Sequence, residues 1–176
     1  MQPRTPVKAL FDAHGIGPNA SRLPDFEQRR AQLLFTLLKE RAFPDGWWHG
    51  DDLESAVRVM QGRFADLGLV APLDLKDLQR SARGHVVQLE GEDVLRRHLI
   101  GHVVREANGF LAGLERAHRF YAFASNLPSW NPAEPVWLLL TADERTQLLA
   151  AGVLHLASGI ERRYDPIATP KLEEED

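Results

Sequence analysis

Apolar side chains recur with helical periodicity in the second quarter of the chain, where they predict a well-bounded helix. The apolar positions that share one helical face are Leu53, Ala56, Val57, Met60, Phe64 and Leu67. Asp51 and Glu54 stand at the two positions of a capping box, and Gly68 stands where a helix commonly ends. The segment is therefore predicted to be a helix that Asp51 caps and Gly68 terminates.

Two further helices are predicted before it. Over residues 25–43, Asp25 and Gln28 occupy the capping-box positions, and the sequence PDG at 44–46 stops the helix. The apolar face of this helix is predicted to comprise Leu34, Phe35, Leu37 and Leu38. Near the N-terminus, the stretch VKALFDAH predicts a short helix that the glycines of GIGP end.

The longest helical pattern extends over residues 92–124 and is predicted to form the spine of the protein. An apolar face this wide is predicted to pack against neighbouring elements on more than one side. Its residues are Leu99, Val103, Ala107, Phe110, Leu114, Ala117 and Tyr121. Gly101, Gly109 and Gly113 interrupt the pattern, and each costs about 1 kcal/mol relative to alanine in a helix interior. These glycines indicate either a kink or a close helix crossing.

The remaining segments complete a predicted helical bundle. A proline-rich connection covers residues 125–137, after which Thr141 and Glu144 form a capping box for a last helix that extends to about Arg163. A short helix is predicted over residues 75–82, and only the stretch HVVQLE at 85–90 looks extended. The predicted fold is mainly α, a single-domain bundle of four or five principal helices with at most a minor β element.

The composition agrees with one folded unit. The chain has 176 residues, of which 44% are hydrophobic and 26% are charged, and this usage is typical of one globular domain. We predict a single domain over residues 1–168, followed by an acidic C-terminal tail at 169–176. The net charge is −4, so the chain lacks an overall basic surface for nucleic acid.

Composition also narrows the chemistry and the compartment. The chain contains no cysteine, which excludes disulfides, thiolate metal sites and cysteine nucleophiles. It shows no secretory signal and no apolar run near the roughly 20 residues that span a bilayer, so no membrane association is expected. Arginine far outnumbers lysine, a bias that favours a prokaryotic source. The predicted compartment is therefore a prokaryotic cytoplasm.

A line of possible metal ligands lies in the sequence HLIGHVVRE. His98, His102 and Glu106 follow one another at four-residue intervals, which places successive side chains one helical turn apart. A helical wheel, however, moves them stepwise from the edge of the apolar face toward solvent, as expected at the margin of an amphipathic helix. The pattern would become a divalent-metal site only if His49, His118 or an acid came within reach. His118 itself falls inside the predicted apolar face, where a hydrogen-bonded core histidine is expected.

The sequence FPDGWWHGDD at 43–52 concentrates unusual residues on a turn. Trp47 and Trp48 could contact a partner or stack on a ligand, and His49 with Asp51 could add metal ligands. The simpler interpretation is that Asp51 caps the following helix while one tryptophan fills the core.

The sequence WNPAEPVW at 130–137 also allows two interpretations, a partner-binding surface or a rigid connection. Trp130 and Trp137 could present aromatic surface to a partner protein, because tryptophan is enriched among interface anchors. Alternatively, the prolines simply make a rigid connection that closes one end of the bundle.

A faint resemblance to a winged-helix order between residues 25 and 91 raises nucleic-acid binding. The basic residues near the predicted wing are Arg80, Arg83, Arg96 and Arg97. Acids in the same region largely cancel this charge; they are Asp74, Asp77, Glu90, Glu92 and Asp93. A locally neutral surface disfavours nucleic acid, since phosphate contacts supply much of the affinity.

No phosphate-binding loop, dinucleotide-binding glycine motif or serine nucleophile motif is present. The sequence therefore predicts a non-catalytic protein-interaction, assembly or adaptor protein that binds a protein partner or itself and needs no cofactor. Two alternatives stay open. They are a metal-binding helical enzyme that uses the His98 stripe, and a nucleic-acid-binding protein.

Overall fold

A β-sheet lies at the centre of the molecule, which corrects the predicted helical bundle. The computed structural model describes residues 4–43, 53–70, 92–123 and 136–155, with the backbone alone for 53–56 and 92–102. Three antiparallel strands in these residues are β1 (Ala42–Phe43), β2 (His118–Phe123) and β3 (Val136–Thr141), in the order β1-β3-β2. The fold is mixed, with helices packed on a sheet.

Five helices accompany the sheet in the described part of the chain. They are α1 (Val7–His14), α2 (Phe26–Arg41), α3 (Leu53–Asp66), α4 (Glu92–Gly113) and α5 (Ala142–Ala150), and a 3-10 turn at Ala20–Arg22 joins α1 to α2. Gly15 follows α1 with φ 66°, and Gly68 follows α3 with φ 72°, left-handed values that glycine adopts at low cost. Both predicted stops are confirmed.

The starts of α2 and α5, for both of which a capping box was predicted, differ in how they are capped. At α5, Thr141 and Glu144 form the complete predicted capping box: the Thr141 Oγ1 atom accepts from the Glu144 N–H and Glu144 Oε1 accepts from the Thr141 N–H. At α2, Asp25 is the N-cap residue, but its side chain accepts no capping hydrogen bond. The Asp25 carboxylate accepts from Arg29 Nε at 2.8 Å, so the capping box predicted with Gln28 is wrong.

Helices pack against both faces of the sheet. Successive strand side chains point to opposite faces, so each strand contributes to both packed layers. On one face, strand residues pack against α3 and α4 in what we call the α3–α4 core; they are Phe43, Phe120, Ala122, Trp137 and Leu139. On the other face, strand residues pack against α1, α2 and the α5 region in the α1–α2–α5 core; they are Ala42, Tyr121, Phe123, Val136, Leu138 and Leu140. A strand buried on both faces needs apolar residues at successive positions, as in VWLLL.

The predicted long helix at 92–124 is wrong beyond Gly113. The chain turns at Leu114 and Glu115, where Glu115 has a φ of 54° and the Arg116 N–H donates to the Leu111 carbonyl. Residues 118–123 then form β2, because pairing with β3 buries apolar side chains on both faces. A Cβ atom added at Gly109 or Gly113 would meet nothing within 4 Å. Neither glycine therefore marks a close helix crossing among the described residues.

Other predicted boundaries also shift. α2 ends at Arg41, and the next two residues pair with β3 as β1. The predicted connection at 125–137 overlaps β3, which begins at Val136. α5 ends at Ala150, and its predicted extension beyond residue 155 lies outside the described residues, as do the helix at 75–82, the stretch at 85–90 and the tail at 169–176.

Candidate functional site

The predicted metal stripe lies on α4. Glu106 is exposed, and His98 and His102 belong to the helix by their backbone. His49 and Asp51 lie outside the described residues. Among the residues that the structure describes, no group of three or more histidine and acidic side chains is arranged to hold a metal ion.

His118 does not lie on a helix face as predicted. It is the first residue of β2, is half-buried, and pairs in register with Thr141 at the start of α5. This position results from the sheet pairing that replaces the end of the predicted long helix.

Of the four tryptophans proposed as partner anchors, one has a described side chain. Trp137 lies on β3 with 1% of its surface exposed, within the α3–α4 core. In this position it stabilises the sheet and offers no surface to a partner, which corrects its predicted place in an exposed connection. Trp47, Trp48 and Trp130 lie outside the described residues.

Of the four arginines proposed to contact nucleic acid, the structure describes the backbone of two. Arg96 and Arg97 belong to α4 by their backbone, whereas Arg80 and Arg83 lie outside the described residues. The 75–90 segment, which carries the winged-helix resemblance, lies outside them as well.

No local sequence pattern indicated a group of polar and charged residues around the buried Arg41, at the junction of the N-terminal segment, α2 and α5. We call it the Arg41 cluster, and its members are Arg4, Thr5, Glu40, Arg41 and Glu144. The Arg41 side chain is 1% exposed, and its Nη1 atom lies 2.6 Å from Glu144 Oε2. Arg41 Nη2 donates to the Thr5 carbonyl, and Thr5 Oγ1 donates to Glu40 Oε1 at 3.1 Å.

The shortness of β1 explains why Arg4 joins this cluster. Ala42 pairs with Leu138, so the antiparallel register places Leu139 beside the end of α2, where β1 has not yet begun. Arg4 Nη2 donates to the Leu139 carbonyl. A buried carbonyl without a partner costs about 1–3 kcal/mol, and Arg4 supplies a donor that a longer β1 would otherwise provide.

The Arg41 cluster shifts the ionisation of two neighbouring groups. Burial raises the pKa of Glu144, but the hydrogen bond from the Thr141 backbone and the charges of Arg41 and Arg4 outweigh it, so this pKa lies below its ordinary 4.5. Burial, followed by the charge of Arg4, lowers the pKa of His118 below 6.5. Near neutral pH, Glu144 is therefore ionised and His118 is neutral.

The cluster joins the N-terminal segment, α2, β3 and α5 through ion pairs and hydrogen bonds. Two arginines and two glutamates nearly neutralise one another, and their donors hold backbone carbonyls of Thr5 and Leu139. Only the Thr141–Glu144 capping box had a local sequence signal. The partners of Arg41 stand 36 and 103 residues away in the chain, so no local pattern predicts the contacts.

The second feature is an exposed aromatic side chain on α2. Phe35 is 72% exposed, although it was predicted to lie on the apolar face of this helix. Leu33, Leu34 and Leu37 fill the core instead, with at most 2% of each exposed. We call the surrounding surface the Phe35 face. Its residues are Phe35 and residues that stand three, four or seven positions away on the same side of the helix, and they are Gln28, Ala31, Gln32, Phe35, Leu38 and Lys39.

Comparisons with protein families, with curated proteins and with solved structures found no match to this chain. Among the described residues, none of the helices has the length and apolar character needed to cross a membrane. The class that the described residues define is a mixed fold of helices and strands, with a three-stranded antiparallel sheet between two helical layers.

Proposed function

We propose that this protein works by binding a protein partner through the Phe35 face. The observation that carries the proposal is the 72% exposure of Phe35 in the middle of α2. Burying a phenylalanine side chain contributes about 1.5–3 kcal/mol, and a partner that covers Phe35 would gain this free energy.

The composition around Phe35 supports the proposal. Of the six residues of the Phe35 face, only Lys39 carries a charge. The centres of protein interfaces are depleted in charged residues and enriched in aromatic ones. A single exposed aromatic residue is ordinary on a protein surface, so the proposal depends on its combination with uncharged neighbours.

The geometry suits a helix that inserts into a groove. Ala31, Phe35 and Leu38 follow one another at intervals of four and three residues, and Ala31 and Leu38 are partly exposed on either side of Phe35. This spacing is the one by which an amphipathic helix presents anchors to an apolar groove. We therefore expect the partner to offer an apolar pocket that receives Phe35.

Site-specific crosslinking tests the proposal directly. Benzoylphenylalanine would replace Phe35 in one sample and Leu114, which is 44% exposed in the turn after α4, in a control sample. After irradiation in the native host, we expect a discrete crosslinked protein from position 35 and none in common with position 114. Binding of that protein to the purified chain should weaken by about tenfold or more in Phe35→Ala and remain unchanged in Leu114→Ala.

Sedimentation velocity separates a different partner from a second copy of the chain. If the crosslinked species is a dimer of this chain, the dissociation constant of the dimer should rise in Phe35→Ala. The absence of any crosslink specific to position 35, or equal binding by wild type and Phe35→Ala, would refute the proposal. Because Phe35 is exposed, its replacement should change the free energy of unfolding by no more than about 0.5 kcal/mol.

A further inference from the structure

The segment before α1 is fastened to the molecule by polar contacts. We call residues 4–6 the N-terminal strap. Arg4 and Thr5 are half-buried and Pro6 is exposed. Three hydrogen bonds join the strap to α2 and to the sheet: Arg4 to the Leu139 carbonyl, Arg41 to the Thr5 carbonyl, and Thr5 to Glu40.

Charge balance decides whether these contacts persist. Arg4 and Arg41 lie close enough to repel each other, and Glu144 and Glu40 offset the repulsion. The ion pair between Arg41 Nε and Glu40 Oε2 spans 3.9 Å, too long for a hydrogen bond. Glu144, at 2.6 Å from Arg41, is therefore the principal counter-ion of the cluster.

Charged and titratable groups from every neighbouring element act on this region. They are Arg4 of the strap, Glu40 and Arg41 of α2, Asp66 of α3, Arg116 before β2, His118 of β2 and Glu144 of α5. Acidification adds a positive charge at His118 and then removes the negative charge at Glu144. Both changes leave the two arginines with a larger excess of positive charge.

We propose that the N-terminal strap is an acid-sensitive latch, which detaches from the Arg41 cluster when His118 gains a proton or Glu144 loses its charge, while the rest of the fold stays closed. The strap is suited to this role because hydrogen bonds of Arg4 and Thr5 join it to α2 and the sheet, whereas the two cores are held by apolar packing. Detachment would free the start of α1, whose first residue, Val7, is 3% exposed in the closed state.

The direction of the pH effect follows from proton linkage. A group whose pKa is lowered in the closed state binds fewer protons there than in the open state, so acid favours opening. The contribution of His118 is fully present above its ordinary value of 6.5 and is lost as the pH falls below it. The contribution of Glu144 is lost as the pH falls below 4.5.

Thiol labelling of the full-length chain tests the latch, since the natural sequence has no cysteine. Val7→Cys places a single thiol in the α1–α2–α5 core at the start of α1, directly after the strap, and Val103→Cys places a matched thiol in the α3–α4 core, where Val103 is 0% exposed. Labelling by dithiodipyridine is measured from pH 7.5 to 5 and divided by the rate of a free thiol at the same pH. Between these limits we expect the labelling of Val7→Cys to rise severalfold, because protonation of His118 adds a positive charge that Arg4 and Arg41 repel, while Val103→Cys stays protected.

Two substitutions then show which ionisable group controls the opening of the strap. Glu144→Gln retains an oxygen for the Thr141 N–H but removes the charge that pairs with Arg41. It should therefore open the strap at pH 7.5 and accelerate labelling at Val7→Cys by about tenfold, as expected for the loss of a charged hydrogen bond. His118→Asn cannot gain a proton and should abolish the rise between pH 6.5 and 5. Equal acceleration at both thiols would show global unfolding and would overturn the proposal, as would Val7→Cys labelling that neither acid nor Glu144→Gln changes.

Discussion

Asn108 shows at the scale of one residue how a buried polar side chain fixes the sheet. It lies on α4 with 1% of its surface exposed. Its Oδ1 atom accepts from the Phe120 N–H at 2.7 Å, and its Nδ2 atom donates to the Phe120 carbonyl at 3.1 Å. A single amide thus satisfies both backbone groups of a residue on the edge strand β2. This pairing also gives the chain after α4 a fixed position against that helix.

We predict that Asn108→Leu destabilises the protein although leucine has a similar volume. The substitution leaves the buried N–H and carbonyl of Phe120 without their present partners, and each such group costs about 1–3 kcal/mol. With two such groups, the free energy of unfolding in urea should fall by about 2–6 kcal/mol. Gln147→Leu, an amide replaced at an exposed position of α5, should change it by less than about 0.5 kcal/mol. Similar values for both variants would contradict the assigned role of Asn108.

At the scale of elements, a side chain of α3, that of Arg63, stabilises the junction between α2 and β1. Arg63 donates to three carbonyls at the end of α2, those of Ala42 at 2.8 Å, Glu40 at 2.9 Å and Lys39 at 3.2 Å. The last carbonyls of a helix lack partners within the helix, and a cation there also interacts favourably with the helix dipole. The guanidinium therefore stabilises the point at which the chain changes from helix to strand.

Replacement of Arg63 should loosen this junction. In Arg63→Ala we expect the free energy of unfolding to fall by about 1.5–3 kcal/mol, the range for hydrogen bonds from a charged group. Arg63→Lys retains the charge but cannot reach three carbonyls with a planar fork, so it should recover only part of the loss. The measurement is urea unfolding, with Arg22→Ala as a control at an exposed position before α2. Full recovery in Arg63→Lys would show that charge alone matters there.

Element boundaries also show how far local sequence predicts this fold. The ends of α1 and α3 and the start of α5 depend on nearby residues, so Gly15, Gly68 and the pair Thr141 and Glu144 could be identified in advance. The conversion of residues 118–123 into a strand could not be identified. The apolar and aromatic run at 120–123 suits a buried helix as well as a buried strand, and only the distant partner β3 selects the strand.

At the scale of the whole molecule, the sheet in the described part of the chain supports two cores. Leu138 and Leu139 are consecutive in β3 and are each 1% exposed, yet Leu138 packs in the α1–α2–α5 core and Leu139 in the α3–α4 core. Because β3 is the central strand, a loss of packing on either face acts on the same backbone. The two cores are thus expected to unfold together.

Leu138→Ala and Leu139→Ala test this coupling. Each should lower the free energy of unfolding by about 2–5 kcal/mol, as buried leucine truncations do. In each variant, circular dichroism and tryptophan fluorescence should report one coincident transition. The control is Leu114→Ala, at a position that is 44% exposed, with an expected change below about 1 kcal/mol. Separate transitions, or an effect confined to one of the two leucines, would show that the cores are independent.

Local sequence was sufficient to predict the helix ends that nearby residues set, together with the apolar face of α3 from Val57 to Phe64. Tertiary structure decided the sheet, the exposure of Phe35, the burial of Trp137 and the assembly of the Arg41 cluster. The physical reason is the range of the interactions. A helix cap joins residues three positions apart, whereas Arg41 contacts Glu144 across 103 positions. The orientation of α2 against the sheet, which depends on distant strands, decides that Leu34 and Leu37 are buried and Phe35 is exposed.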